Sequence, residues 1–97
     1  MKKNILRTVT LQNGWQVLLL EVPTGIAQSL NQTMNIYCVD STGNQVWRVD
    51  APVSRLADDV FVSLTMKNGR LLASRFFGSE FEIEATTGVA KEVGWQK

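Results

Sequence analysis

Two adjacent carboxylates, Asp58 and Asp59, lie in the most polar stretch of the sequence, shortly after Arg55. Paired carboxylates can bind a cation or act together as a general acid and a general base. Adjacent residues that lead into a strand, however, point to opposite faces of the sheet instead of converging. We therefore interpret this pair as the solvated opening of a strand.

A second set of carboxylates is formed by Glu80, Glu82 and Glu84, which alternate along one predicted strand. Residues two apart share a face, so these side chains could form an acidic patch for a basic partner or a weak metal site. The interpretation that we favour is a polar face, partly neutralised by Arg75 and Lys91. Exposed ion pairs contribute little to stability, and charge on such a face discourages unwanted sheet pairing.

The chain lacks the residues on which most catalytic sites depend. Its 97 residues contain no histidine, which removes imidazole metal ligation and histidine-assisted nucleophilic catalysis. The sequence has no Ser-Xaa-Xaa-Lys or Gly-Xaa-Ser-Xaa-Gly motif, no Gly-rich phosphate loop and no metal-spaced cysteine set. We predict a protein that is not an enzyme, with no catalytic, metal-binding or cofactor-binding residues and no cofactor.

Charge and cysteine content indicate the setting in which the protein works. Ten Lys and Arg residues against nine Asp and Glu residues give a formal net charge of +1, which argues against nucleic-acid binding. Cys38 is the only cysteine, so no internal disulfide is possible, and its apolar neighbours predict a buried side chain. No signal-peptide pattern follows Met1, and the apolar run VLLLEV is too short to span a bilayer. We expect a cytoplasmic protein that does not insert into a membrane.

Aromatic and arginine side chains are the remaining candidates for a binding role. The motif RFFG at residues 75–78 places two phenylalanines beside a glycine turn. Arginine and aromatic residues are frequent anchors of protein interfaces, although large apolar residues are more often packed inside. The predicted interaction residues are Arg75, Phe76, Phe77, Trp47 and Trp95.

Turn signals divide the chain into β-strands. Asn-Gly or Thr-Gly pairs stand between runs rich in Val, Ile, Leu, Phe and Trp, and Asn-Gly in that setting is the strongest short hairpin signal. The predicted turn residues are Asn13, Gly14, Asp40, Thr42, Gly43, Asn68, Gly69, Thr87 and Gly88. The predicted strands cover residues 5–12, 15–22, 34–40, 45–50, 59–66, 70–77, 79–85 and 89–95.

These strands form two copies of one pattern within a single β domain, residues 1–97. Repeat unit one covers about 5–50 and repeat unit two about 59–95, and each runs strand, Asn-Gly, strand, connection, strand, Thr-Gly, strand. The matched order of turns indicates an internal duplication. Four antiparallel strands in each unit match the size of a β-propeller blade.

Strand register is predicted for unit two. With Phe77-Gly78 as a two-residue loop, Arg75 faces Glu80, and the opposite face brings apolar residues together. A three-residue loop at the next turn then places Val93 beside Phe81 on the apolar face.

Two strands carry apolar residues on both faces. The strand at 59–66 places Val62, Leu64 and Met66 on one face and Phe61 on the other, and the strand at 15–22 is similar. Strands buried on both sides have this composition. Such strands are either central strands covered on both faces or strands whose second face meets another subunit.

The segment YCVDSTGNQVWRV, residues 37–49, resembles the repeat of quinoprotein-type (PQQ-like) β-propellers. Blades of that family carry Ala-Xaa-Asp-Xaa-Xaa-Thr-Gly-Xaa-Xaa-Xaa-Trp. The matching residues here are Asp40, Thr42, Gly43 and Trp47, with Cys38 at the alanine position, whereas unit two has Ala85 and Glu92 at the aspartate and tryptophan positions. The segment at 76–97 is also similar to the end of small bacterial proteins of unknown function.

The resembling residues have structural roles. The aspartate accepts hydrogen bonds from the turn backbone, the glycine supplies positive φ, and the tryptophan covers the neighbouring sheet. In the quinoprotein family the cofactor contacts lie elsewhere, on a complete ring, so the resemblance implies no quinone cofactor for this chain.

We predict an all-β fold in which two four-stranded antiparallel blade-like units pack as a small sandwich or a barrel-like β-structure. Two units are too few for a closed ring, so the alternative is an assembly in which blades from several copies stack.

The predicted function is that of a small non-catalytic protein-interaction module, of an accessory or immunity type, which binds a protein partner or self-associates as a homodimer. The alternative is a small-molecule binding module with a pocket between the sheets, near Trp47 and the loop at 23–33.

Overall fold

All the structural elements with defined bounds are β-strands, and each lies within two residues of a predicted strand. The structure is a computed structural model that describes residues 4–22, 33–54 and 59–95, and of Trp95 only the backbone. The strands are β1 (Ile5–Thr10), β2 (Gln16–Leu20), β3 (Ile36–Val39), β4 (Gln45–Arg48), β5 (Phe61–Lys67), β6 (Arg70–Arg75), β7 (Ser79–Ile83) and β8 (Ala90–Trp95).

The strands form two four-stranded antiparallel sheets, in the orders β1-β2-β3-β4 and β5-β6-β7-β8. The predicted all-β fold with two four-stranded units is therefore confirmed. One apolar core lies between the sheets, and its largest fully buried side chains are Phe61, Phe81, Leu19, Ile36, Leu64, Val17 and Cys38.

The turn residues join the strands as the sequence predicts. Asn68 and Gly69 both have positive φ, 52° and 77°, and connect Lys67 directly to Arg70. Two consecutive residues with positive φ define the tight hairpin turn that Asn-Gly favours. Unit two thus begins with a hairpin whose register is fixed by its turn.

The predicted register between β6 and β7 is wrong by one residue. The turn contains three residues, because the N–H of Gly78 donates to the carbonyl of Arg75 at 2.9 Å and Ser79 begins β7. Ala73 consequently lies opposite Phe81, and Leu71 lies opposite Ile83. Since a shift of one residue exchanges the faces of a strand, Arg75 moves from the polar face to the core face.

The predicted contact between Val93 and Phe81 is also absent. The connection before β8 has four residues, with the N–H of Glu84 donating to the carbonyl of Val89, and a bulge interrupts the pairing between Glu80 and Phe81. Phe81 therefore lies opposite Glu92, and Val93 is exposed.

A bulge also changes the faces of β5. The pairing with β6 shifts between Phe61 and Ser63, so Phe61 and Leu64 both enter the core although they are three residues apart. Val62, at the bulge, is exposed and does not share the face of Leu64, which corrects the prediction; Met66 shares that face as predicted but is exposed near the end of the strand. Within the described residues β5 is an edge strand, and it is not covered on both sides.

The two units are built alike but bury opposite faces. The bulge in the first strand lies opposite Leu19 and Leu20 in unit one, and opposite Ser74 and Arg75 in unit two. Leu19 is buried while its counterpart Ser74 is half-buried, and Arg75 is buried while its counterpart Leu20 is half-buried. The front of one unit therefore packs against the back of the other, as in successive repeats of a stack.

One side of the sandwich is joined by backbone hydrogen bonds. The N–H of Asp50, just after β4, donates to the carbonyl of Gly88 at 2.8 Å, and the N–H of Ala90 donates to the carbonyl of Asp50 at 2.8 Å. Across residues 4–22, 33–54 and 59–95, no helix is long and apolar enough to cross a membrane.

Candidate functional site

Two adjacent phenylalanines project from the turn between β6 and β7. Phe76 is 59% exposed and Phe77 is 44% exposed. Their ring centres lie 5.0 Å apart, and the rings are perpendicular. This edge-to-face geometry is a favoured arrangement for aromatic pairs, so the two rings support each other while both contact solvent. We call Phe76, Phe77 and Gly78 the phenylalanine turn.

Backbone hydrogen bonds hold the phenylalanine turn in one conformation. The N–H of Phe76 donates to the carbonyl of Val60 at 2.8 Å. The N–H of Phe77 donates to Oδ1 of Asp59 at 3.1 Å, and Oδ2 of the same carboxylate accepts from the Ser54 hydroxyl at 2.6 Å. Asp59 is only 3% exposed. A buried carboxylate thus ties the exposed turn to the segment that connects the two sheets.

Arg75 lies beneath the turn. It is 5% exposed, and its guanidinium lies 5.1 Å and 4.8 Å from the ring centres of Phe61 and Phe81. The guanidinium donates to the carbonyl of Pro52, while Nε is buried without a hydrogen-bond partner among the described residues.

The charge of Arg75 is held in an apolar setting. Burial lowers the pKa of its guanidinium below the ordinary value, and the negative charges of Asp59 and Glu92 oppose this effect. Arg75 was predicted to be an interaction residue and to neutralise part of the glutamate face, but it is buried in the core and donates to the carbonyl of Pro52.

Trp47 packs between the two repeat units. Its indole N–H donates to the carbonyl of Ala85 at 2.8 Å, and its ring lies against Gly88, where a Cβ would come within 2.6 Å of the ring. This tryptophan therefore covers the turn between β7 and β8 of the other unit. Both the ring and the N–H are occupied within the protein, which leaves Trp47 buried and not at an interaction surface.

Asp40 organises the Thr-Gly turn of unit one. Its Oδ1 accepts hydrogen bonds from the Thr42 N–H at 2.9 Å, the Thr42 hydroxyl at 2.7 Å and the Asn44 N–H at 3.0 Å. The hydroxyl bond is the main reason that the pKa of Asp40 is lowered. The predicted role of this aspartate in its turn is confirmed.

The other predicted polar sites do not converge. Arg70 pairs with Glu82 at 2.7 Å, which lowers the pKa of that carboxyl, and Lys91 lies opposite Glu82 on β8. Asp59 points inward and is not a solvated strand opening, while Asp58 lies outside the described residues. Within the described ranges no three Cys, Asp or Glu side chains are grouped as metal ligands would be.

Three further predictions concern Cys38, Trp95 and the loop at 23–33. Cys38 is buried as predicted, and burial raises the pKa of its thiol. The backbone of Trp95 pairs with Ser79, but its side chain lies outside the description. The loop at 23–33, predicted to border a ligand pocket, also lies outside the described residues except for Thr33.

Sequence reasoning missed Asn35 altogether. This buried side chain donates from Nδ2 to the carbonyls of Leu20 and Phe61, and its Oδ1 accepts from the Phe61 N–H. A polar residue directly before an apolar strand was the available signal. It indicates a turn as readily as a buried amide, so the sequence alone does not separate the two.

Comparison with known proteins assigns the chain to a family without assigning an activity. Neither curated proteins nor solved structures give a match to this chain. A family model matches residues 1–95, nearly the whole sequence. The chain therefore belongs to the family described as a domain of unknown function (DUF7957).

Proposed function

We propose that this protein is a small non-catalytic protein-interaction module that uses the phenylalanine turn as its anchor. The observation that carries the proposal is the exposure of Phe76 and Phe77 on a turn that is already fixed by hydrogen bonds. Adjacent large aromatic side chains in water are costly unless a partner covers them. Aromatic residues of this kind are the usual energetic centres of protein interfaces.

The construction of the turn supports a binding role. A partner that binds a preformed loop does not have to pay the entropy of ordering it. The buried carboxylate of Asp59 orders the loop by accepting a hydrogen bond from the Phe77 N–H. A charge that is buried to hold an exposed loop is consistent with a surface whose shape matters for binding.

Another exposed apolar residue lies in a segment that is tied to the phenylalanine turn. Val53 precedes Ser54, whose hydroxyl donates to the Asp59 carboxylate that accepts the Phe77 N–H. The three apolar side chains therefore come from chain segments that one carboxylate holds together. We propose that they form one contact surface for an apolar patch of a protein partner, of an accessory or immunity type, or of a second copy of this chain.

The proposal includes a cytoplasmic location and excludes nucleic acid as the partner. Cys38 is the only cysteine and is a buried thiol, which suits a reducing compartment. The net charge of +1 gives no electrostatic basis for nucleic-acid binding.

The test compares solution mass and partner capture for the wild type and for Phe77→Asp. The matched control is Val46→Asp, an exposed apolar residue on β4 in the other repeat unit. We expect concentration-dependent self-association, or a captured protein, that disappears with Phe77→Asp and persists with Val46→Asp, while both variants keep the wild-type circular dichroism spectrum. A wild type that stays monomeric and captures the same proteins as Phe77→Asp would overturn the proposal.

A further inference from the structure

On the side of the sandwich opposite the Asp50 bridge, β1 and β5 lie near each other without pairing. A groove of about 380 Å³ runs between Leu6 and Arg7 of β1 and residues 62–65 of β5, with Leu19 at its lining. Within the described residues, β1 pairs only with β2 and β5 pairs only with β6. The groove is therefore bordered by two edge strands that have backbone groups free to pair.

The turn at the end of β5 determines which of its backbone groups face the groove side. Because Asn68-Gly69 is a two-residue turn, Lys67 and Arg70 form a hydrogen-bonded pair, and such pairs alternate along an antiparallel ladder. Thr65 bonds with β6, whereas Leu64 and Met66 direct their N–H and C=O groups away from it. These groups lie along the free edge of β5.

Asn35 shows how the same edge is satisfied at its beginning. Its side-chain amide donates to the Phe61 carbonyl at 2.9 Å and accepts from the Phe61 N–H at 2.9 Å. This is the pair of bonds that a neighbouring strand would make. A side chain therefore completes the edge of β5 at Phe61, whereas no described residue pairs with Leu64 or Met66 along that edge.

Side chains around the groove are apolar and cationic. Leu6 is 55% exposed and Val62 is 45% exposed. The charged residues of the two edge strands are Arg7 and Lys67, and neither strand contains an acidic residue. Arg7 makes no ion pair with any part of the chain that the structure describes. A segment that lies in the groove thus meets exposed aliphatic side chains beside Arg7, and a segment that continues along β5 reaches Lys67 at the end of that strand.

We propose that this groove binds an extended, acidic segment of a partner polypeptide, which adds to β5 as a further strand. Its backbone pairs with Leu64 and Met66, its apolar side chains cover Leu6 and Val62, and its carboxylates face Arg7 and Lys67. A second copy of this chain would bring the same cations to the groove, so charge favours an acidic partner. The site is separate from the phenylalanine turn and does not depend on it.

The test selects peptides from a random display library on the immobilised full-length protein, and then measures their affinity for variants. Met66→Pro removes an N–H that β6 does not use, and Met66→Val is its matched control, which keeps that N–H. Arg7→Glu reverses the charge without touching the backbone. Phe77→Asp serves as the control for the proposed function.

We expect enriched peptides with net negative charge and alternating apolar residues. Their affinity should fall about tenfold or more with Met66→Pro, since a lost backbone hydrogen bond and its buried acceptor are worth about that factor. Arg7→Glu should also weaken them, whereas Met66→Val and Phe77→Asp should leave them unchanged. Amide hydrogen exchange at Leu64 and Met66 should slow when peptide is bound.

Three outcomes would overturn this inference. The first is that no peptide is enriched above an unrelated bait, and the second is that the enriched peptides lack acidic residues or bind Arg7→Glu equally well. The third is a wild-type dimer that Met66→Pro converts to a monomer, because the groove would then hold a second copy of the chain. If Met66→Pro does not fold, the affinity of Arg7→Glu and the hydrogen exchange at Leu64 and Met66 still test whether acidic peptides bind along β5.

Discussion

The side-chain amide of Asn35 makes two hydrogen bonds of 2.9 Å to the backbone of Phe61, one as donor and one as acceptor. It thereby joins unit one, at the residue before β3, to the first residue of the sheet of unit two. A third bond, to the Leu20 carbonyl at 2.8 Å, anchors the amide to its own sheet.

Replacing Asn35 by alanine should therefore destabilise the protein strongly. The change leaves the buried N–H and C=O of Phe61 unpaired, and we expect a loss of about 3 kcal/mol in the free energy of unfolding. Gln45→Ala, at an exposed position on β4, should change stability by less than about 0.5 kcal/mol. Urea denaturation of both variants checks this, and similar losses in the two would contradict a bridging role for Asn35.

Two glycines allow the contact between the repeat units to be measured. Gly88 and Gly43 have φ of +83° and +91°, so an alanine at either position suffers a similar backbone strain, about 1 kcal/mol. At Gly88 the new Cβ would also lie 2.6 Å from the Trp47 ring, whereas at Gly43 no atom lies within 4 Å. We expect Gly88→Ala to cost about 1 to 3 kcal/mol more than Gly43→Ala. Equal denaturation midpoints for the two variants would show that the Trp47 ring can move away from the new Cβ without loss of stability.

Arg75 and Asp59 should be coupled, because both are buried and attract each other although they form no direct ion pair among the described residues. Either Arg75→Met or Asp59→Asn removes this attraction together with the hydrogen bonds of the replaced group, and we expect each to destabilise by about 2 kcal/mol. The loss of unfolding free energy in the double variant should be smaller than the sum of the two single losses, by about 1 kcal/mol or more. A double-mutant cycle from denaturation measures this coupling, and strictly additive losses would mean that each charge is stabilised independently.

The free energy of unfolding at acidic pH should depend on Asp40. Hydrogen bonds, chiefly from the Thr42 hydroxyl, lower the pKa of Asp40 below its ordinary value of 3.8. The folded state then holds the proton less tightly than the unfolded chain does. This carboxylate therefore stabilises the fold above its unfolded pKa, and the contribution is lost as the pH falls through the folded pKa.

Asp40→Asn removes that titration. We expect the stability difference between wild type and variant to be constant near neutral pH and to shrink below about pH 4. Urea midpoints across the acid range measure the difference. Parallel curves for the two proteins down to about pH 2 would show that the turn does not stabilise the ionised carboxylate.

The turns and strands were predictable because their signals are local. Asn68-Gly69 fixes a tight hairpin by backbone conformation alone, and Asp40 bonds only to residues within its own turn. These features need no knowledge of the rest of the chain. They define the strand order and the duplication.

Register was not predictable because it depends on whether a loop has an odd or an even number of residues. Phe77-Gly78 fits a two-residue turn, but Phe76 joins the loop, and this single residue turns Arg75 into the core. The bulge between Phe61 and Ser63 has no signature in the sequence and moves Val62 outward. The phenylalanine turn was identified as a candidate from its residues. Its hydrogen bond to the buried Asp59 was not predictable, because the two residues lie 18 positions apart in the sequence.

The front-to-back packing of the units has a consequence for what the outer face of unit two can contact. A third unit added beyond unit two would have to dock on its free outer face. That face carries Glu80 and the ion pair between Arg70 and Glu82, so a further apolar sheet packed on it would remove water from these charges. The outer face of unit two therefore favours contact with water or with a polar partner over a second apolar core.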